Sequence, residues 1–513
     1  LPREYLASAE RIGLPLTFLV LIVAFGSLAA AAVSLAVSAA GLAMAFALFL
    51  ALSQVFSLQV FVLNLAALVG FGVGVDYALL MVSRIRYELA ERADADALEA
   101  IATAGEQAGH AIVISGTAVL LALSGLFAIG ISSFDGMALG TMIAVTAMVL
   151  AALTLLPAAA IFTHRRLTGL VAPRSARQNR NALTDRFLRT IVRHPLAVGL
   201  SSVVLLLAVA LPALGIEFRM FGISTLPPET DSRQAAGVVD AALGPGGSSP
   251  ILLTVPEPGS DTGQRTTRRV VALARANPAV RGVESYRSDP ALRSARAGLG
   301  LVEVQVMSEP EDAAAQDTVA QLRDAAGNGA SVGGQPAERF DEVARYKNRL
   351  PFAVAAVLLA TALMLLLAFR SVLVPVKAVI ATLLSAGAAL GAVTWVFQDG
   401  HLADLFGFQQ IDGVPAFLPI FLFPIIFGLS MDYEIFLLSR IAEERRNGVP
   451  HRAAIVAGLA KTATTITGAA AVMVSVALAF AGTDLLPTQA TGFGIIVAVL
   501  LDAAVVRRDP VRA

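Results

Sequence analysis

Apolar runs of about 20 residues recur along the chain with short polar breaks between them, and each is long enough for an α-helix to cross a bilayer. They fall near 13–31, 33–52, 58–83, 110–130, 136–162, 196–216, 350–369, 375–397, 414–439, 461–481 and 488–507, which makes eleven predicted spans. A soluble helical protein also buries apolar helices, but it does not repeat one membrane-sized length so often. The pattern predicts a mainly α, polytopic membrane protein.

One long segment breaks that rhythm. Residues 217–349 alternate short β-like runs (PILLTV, VRGVESY, LVEVQVM) with polar helical stretches at 264–276 and 313–326. Gly/Pro/Ser clusters such as GPGGSSP separate them. Strand–helix–strand–strand–helix–strand is the ferredoxin-like order, so a single α/β domain is expected here.

Composition agrees with a membrane protein: 56% of residues are hydrophobic and only 15% charged, with 38 acids balancing 38 bases. A neutral balance gives no field to recruit nucleic acid, and the absence of cysteine excludes disulfides and thiol chemistry. The arginines set the orientation. Eight lie in the linker 163–195 (Arg165, Arg166, Arg174, Arg177, Arg180, Arg186, Arg189 and Arg193), which predicts a cytoplasmic linker. Arg370–Lys377, Arg440–Lys461, the tail with Arg507 and Arg508, and the loop 84–109 fall on the same side by counting spans. The expected division is a first bundle of five spans over 1–162, the linker, a span at 196–216, an extracytoplasmic domain at 217–349, five more spans over 350–507 and a cytoplasmic tail.

The chain also repeats itself. GFGVGVDYALLMVSR at 70–84 returns as GLSMDYEIFLLSR at 428–440, with Asp-Tyr and Ser-Arg at identical spacing. Gly72 and Gly428 sit four residues before the aspartates, and Gly74 and Ser430 two before. AFGSL at 24–28 has its counterpart in AFRSV at 368–372. An ionised aspartate inside a membrane costs about 3 kcal/mol on insertion scales, so two in equivalent spans call for a reason. Small residues one turn and half a turn away let helices approach closely, as in GxxxG packing, so the carboxyls can face each other rather than lipid. Desolvation favours the neutral acid, and a tyrosine hydroxyl can stabilise either protonation state. Such a group can take up and release protons in mid-membrane. An aspartate that merely holds helices together is the competing reading.

At these residues the chain resembles the MMPL family of the resistance–nodulation–division superfamily. The resemblance rests on LPLTFLVLIVAFGSL, GFGVGVDYALLMVSRIRYELA, AFRSVLVPVKAVI, VFQDGHL, FGLSMDYEIFLLSRIAEE and AVLLDAAVVR, and it covers essentially the whole chain. It implies two pseudo-two-fold repeats of six helices, each with an outward porter domain, so that this chain lacks the first helix and first porter domain. It further implies proton-driven export of a lipid, glycolipid or similar hydrophobic molecule across the bacterial plasma membrane, with protons as coupling ion and no other cofactor. The implied relay is Asp76, Tyr77, Asp432 and Tyr433, joined by Ser115 on the following helix, with Thr117 two residues away. Many relatives carry arginine where this chain has Gly26.

Other residues carry weaker signals. Glu434 has no acidic counterpart at Ala78, and reads as a helix-end residue reaching towards cytoplasmic headgroups. Asp502 reads equally as a packing, ion-pair or functional residue in the last span. The five histidines (His110, His164, His194, His401, His451) show no metal-ligand spacing, and there is no Gly-Lys-Ser/Thr phosphate loop. No nucleophile–base pair points to an enzyme. A drug efflux permease and a sterol- or lipid-sensing protein are the alternative functions.

Overall fold

The computed structural model describes residues 15–54, 60–91, 97–167, 194–244, 246–287, 289, 293–294, 298–402, 410, 413–483 and 485–506. Most of the predicted linker and the tail therefore lie outside the described residues. The first repeat consists of α1 (Pro15–Phe25), α2 (Leu28–Leu52), α3 (Val60–Glu91), α4 (Ala97–Ser124) and α5 (Ser132–Leu167). The second opens with α6 (Pro195–Ala210) and β1 (Phe218–Arg219). An α/β domain follows, with α7 (Asp231–Leu243), β2 (Ile251–Pro256), α8 (Asp261–Ala276), β3 (Val280–Ser285), β4 (Arg293–Ser294), β5 (Leu299–Val306), α9 (Ala313–Ala326) and β6 (Ser331–Gly333). The chain returns through α10 (Gln335–Phe369), α11 (Leu373–Val393), β7 (Val414–Pro415), α12 (Leu418–Arg446), α13 (His451–Ala481) and α14 (Leu486–Val506).

Every one of the eleven predicted spans coincides with a helix. Eight helices are by themselves long and apolar enough to cross a membrane, and α13 qualifies as a pair of segments bent by 42°. The other two are represented by shorter apolar stretches, Pro15–Phe25 and Leu418–Gly428.

Two boundaries differ from the sequence expectation. The polar stretch 84–109, expected as a loop, is mostly helix, because α3 runs on to Glu91 and α4 starts at Ala97. Charged residues at helical spacing hold the extension, as Arg84 Nη2 lies 2.9 Å from Glu88 Oε1 one turn on. The boundary placed at 349/350 falls inside α10, a single helix of 35 residues with Pro351 in its interior. The α/β domain is thus joined to the membrane bundle by continuous helix rather than by a loop.

The repeat is visible in the backbone. Gly26 ends α1 at φ +60°, and its counterpart Arg370 ends α10 at φ +49°. The left-handed region costs a non-glycine residue roughly 1–2 kcal/mol, so glycine at 26 relieves what arginine bears at 370. Ser27 then caps α2, its Oγ accepting from the Ala30 N–H at 3.3 Å. Beside this turn, Arg86 of α3 donates to the Phe25 carbonyl.

In the α/β domain the strands lie in the order β3-β5-β2-β6, all antiparallel, with β4 added to β5. That is the ferredoxin-like arrangement. Ile251, Leu253 and Val255 on β2 alternate inward beside Val302, Val304 and Val306 on β5, and Val270, Ala274, Val319 and Leu322 of α8 and α9 cover them. The domain is tied to the bundle at its base. β1 pairs in parallel with β7 (Phe218 opposite Val414). The Gln398 amide donates to the Gly215 carbonyl and accepts from the Glu217 N–H, both at 2.9 Å. At the same end Phe134 of α5 meets Tyr346 of α10 edge-on at 5.3 Å and stacks on Phe421 of α12 at 5.5 Å. One aromatic cluster therefore joins both repeats beneath the domain.

Candidate functional site

Asp76 and Tyr77 lie in the middle of α3, 3% and 0% exposed. Their helix is the most deeply enclosed of the candidate spans. The Ser115 hydroxyl, on α4 and also buried, donates to the Tyr77 hydroxyl oxygen at 3.1 Å. A phenol that accepts this bond keeps its own proton for another acceptor. Thr117 is turned the other way: it is exposed, and its Oγ1 donates back to the Val113 carbonyl at 2.7 Å. Of the two hydroxyls that sequence places near the first motif, Ser115 is the one at Tyr77.

The glycines explain how α3 and α12 are held, and their partners differ from expectation. A Cβ on Gly72 would come within 2.6 Å of Met473 Sδ on α13, and one on Gly74 within 2.5 Å of Met148 Sδ on α5. On Gly428 it would come within 3.1 Å of Val119 on α4. The small residues thus admit close neighbours other than the second Asp-Tyr helix. The arrangement is reciprocal: α3 packs on α13, and α12 packs on α4, so each motif helix seats against the helix that follows its counterpart. Helix pattern in the sequence marks small residues, but says nothing of which helix fills the notch.

This packing sets the level of Asp432. Val119 lies one turn beyond Ser115 in α4, and Gly428 one turn before Asp432 in α12, which runs antiparallel to it. Equal rises of about 6 Å from the Gly428–Val119 contact bring the backbone of Asp432 to the level of Ser115 and Tyr77. The side chains of Ser430, Asp432 and Tyr433 lie outside the described residues. Of the implied relay, Asp76, Tyr77 and Ser115 are therefore the residues whose side chains the structure describes. Glu434 is half-buried and within electrostatic reach of Lys377 near the start of α11. Asp502 is buried on α14 at 5% exposure.

The MMPL family model matches residues 3–198 and 224–508, across both repeats and most of the α/β domain. This chain belongs to the MMPL family. Among relatives, it is 35% identical to the putative membrane protein SCO6666 of Streptomyces coelicolor, covering 98% of this chain and 69% of that protein. It is 33% identical to the mycolic acid-containing lipids exporter MmpL11 of Mycolicibacterium smegmatis, covering 98% and 53%. Identity to the trehalose monomycolate exporter MmpL3 of Mycobacterium tuberculosis is 26%, covering 97% and 56%. This MMPL chain therefore spans between about half and two thirds of the length of these relatives. In fold it is similar to the crystal structure of SecDF, a translocon-associated membrane protein from Thermus thermophilus, with a TM-score of 0.60 at 16% identity over 98% of this chain and 61% of that one. As a member of the MMPL family it is a multi-pass plasma-membrane protein, and its fold is similar to that of SecDF.

Proposed function

We propose that this MMPL chain forms part of an exporter that uses the proton gradient to move a lipid, glycolipid or similar hydrophobic molecule outward across the plasma membrane. The observation that carries the reading is Asp76, enclosed in mid-span beside a tyrosine whose hydroxyl is oriented by Ser115. A carboxyl so placed changes charge at high cost to its surroundings, and it is therefore coupled to how the helices pack. Protonation of the Asp76–Asp432 pair neutralises it and relaxes the contacts across the two repeats. The rigid α10 and the Phe134–Tyr346–Phe421 cluster then carry the shift to the α/β domain. The relatives named as exporters of mycolic acid-containing lipids and of trehalose monomycolate support a lipid-class substrate.

The test is Asp76→Asn in the complete protein, reconstituted in vesicles with an imposed pH gradient. Asparagine keeps the size and cannot release a proton. Loss of gradient-driven lipid movement, with insertion into the membrane intact, is expected. Export at the normal rate and with normal gradient dependence would end the proton reading. Lipid binding without any flux in the unmodified protein would favour a sensor.

A further inference from the structure

Each copy of the motif ends in Ser-Arg, with Arg84 and Arg440 both eight residues beyond their aspartates. That is about 12 Å along the helix, at the end of the bundle away from the α/β domain. There the two arginines converge on one ring: Arg84 Cζ lies 5.2 Å and Arg440 Cζ 5.5 Å from the centre of Tyr87. Both distances are within cation–π range. Two guanidinium groups on one ring repel each other, and carboxylates offset this. Arg84 Nη2 is 2.9 Å from Glu88 and 3.8 Å from Glu443, while Arg440 pairs with Glu443 at short range. Arg84 also donates to Gln107 of α4.

The contacts obey the repeat. The same offset of 356 residues separates Asp76 from Asp432 and Tyr87 from Glu443. Each arginine reaches across to the position three residues past its counterpart, Arg84 to Glu443 and Arg440 to Tyr87. Gln107 lies eight residues before Ser115 in the antiparallel α4, so it meets the cluster at the same depth. The three helices bearing Asp76, Asp432 and Ser115 are thus tied together at one level. The Arg84, Glu88 and Arg440 side chains are only 13%, 6% and 15% exposed, while Glu443 at 44% and Tyr87 at 37% form the outer rim of the cluster, so the arginines are held inside it.

We propose that Arg84, Arg440, Tyr87 and Glu443 form a cytoplasmic clasp between the repeats, closing the approach to the relay from that side and parting when the repeats move. The proposal rests on the proton-driven reading above. A path open to both sides at once would dissipate the gradient, so a transporter needs a closure at each end that opens in turn.

Ile112 reports on the closure, since it is fully buried on α4 between Gln107 and Ser115. The described chain contains no cysteine, so Ile112→Cys in the complete protein is a single probe for that region. In inside-out vesicles, an impermeant maleimide should label it slowly. Arg84→Gln with Arg440→Gln should raise the labelling rate by about tenfold or more, as expected when a local closure is lost. Tyr87→Phe, which keeps the ring, should leave it low. Tyr87→Ala removes the ring, leaves every charge in place and should raise it, which keeps the test decisive if the double arginine variant does not fold. Unchanged labelling in Tyr87→Ala, or an equal rise in Tyr87→Phe, overturns the clasp. The assay needs no gradient and leaves Asp76 intact, so the clasp can fail while the relay stands, and the reverse.

Discussion

Removing the Ser115 hydroxyl tests the contact on which the candidate site is built. Ser115→Ala deletes one oxygen from a buried position and leaves almost no cavity, so its cost is that of the 3.1 Å bond to Tyr77. Interhelical hydrogen bonds in membrane proteins average about 0.6 kcal/mol and reach about 1.7 kcal/mol. A double-mutant cycle with Tyr77→Phe isolates that term, because phenylalanine keeps the ring and loses the oxygen. The expected coupling is about 0.6–1.7 kcal/mol, read from equilibrium unfolding in mixed micelles, equivalent to about 3- to 18-fold in the unfolding constant. In the Tyr77→Phe background, Ser115→Ala should then cost little more. Thr117→Ala is the control, since that hydroxyl faces outward and bonds its own helix. Coupling below about 0.3 kcal/mol, the usual limit of additivity, would refute the pairing.

Other outcomes follow from packing, charge and orientation. Gly391→Ala should destabilise the bundle by about 1–3 kcal/mol, because its Cβ would stand 2.1 Å from the Val209 carbonyl oxygen and force α6 away from α11; unchanged unfolding in micelles would contradict that contact. Burial raises the Glu311 carboxyl above its ordinary value, despite Arg339 Nε at 3.2 Å. The folded state therefore holds this proton to higher pH than the unfolded chain, so stability should fall as pH rises from the ordinary carboxyl range through the raised value. Glu311→Gln should flatten that slope in thermal unfolding followed against pH, and an identical slope in the variant would reject it. Single cysteines at Ser248 and Ser175 should be labelled by an impermeant reagent on intact cells at Ser248 only, and labelling of Ser175→Cys alone would reverse the orientation.

Much of the architecture was legible because the bilayer leaves a chain few choices. A backbone in hydrocarbon must satisfy its own hydrogen bonds, so apolar runs of one length could only be helices, and each predicted span coincides with one. Alternation in the 217–349 segment likewise gave the strand and helix order, because a half-buried strand shows its period of two. The paired Asp-Tyr motifs stood out through their cost: a carboxyl in an apolar span is conspicuous where any other residue would pass. The short α7 and the helical ends of α3 and α4 were missed, because they are too polar to extend a membrane-sized apolar run, although Ala100, Ile101 and Ala104 of α4 are buried at helical spacing.

What the sequence determined by itself is what depends on near neighbours: the spans, the repeat, the spacing of Asp, Tyr, Ser and Arg, and the small residues beside each aspartate. Only the tertiary structure decided which surfaces meet. It chose Ser115 over Thr117, because two residues along a helix turn a side chain about 200° and a two-residue shift leaves the local pattern unchanged. It filled the notches at Gly72 and Gly428 with Met473 and Val119, ordinary apolar residues with nothing local to announce them. And it brought Arg84 and Arg440 onto one tyrosine across 356 residues of chain separation. Contacts of that kind are fixed by the symmetry of two packed repeats, which is a property of the assembled bundle and of no single segment.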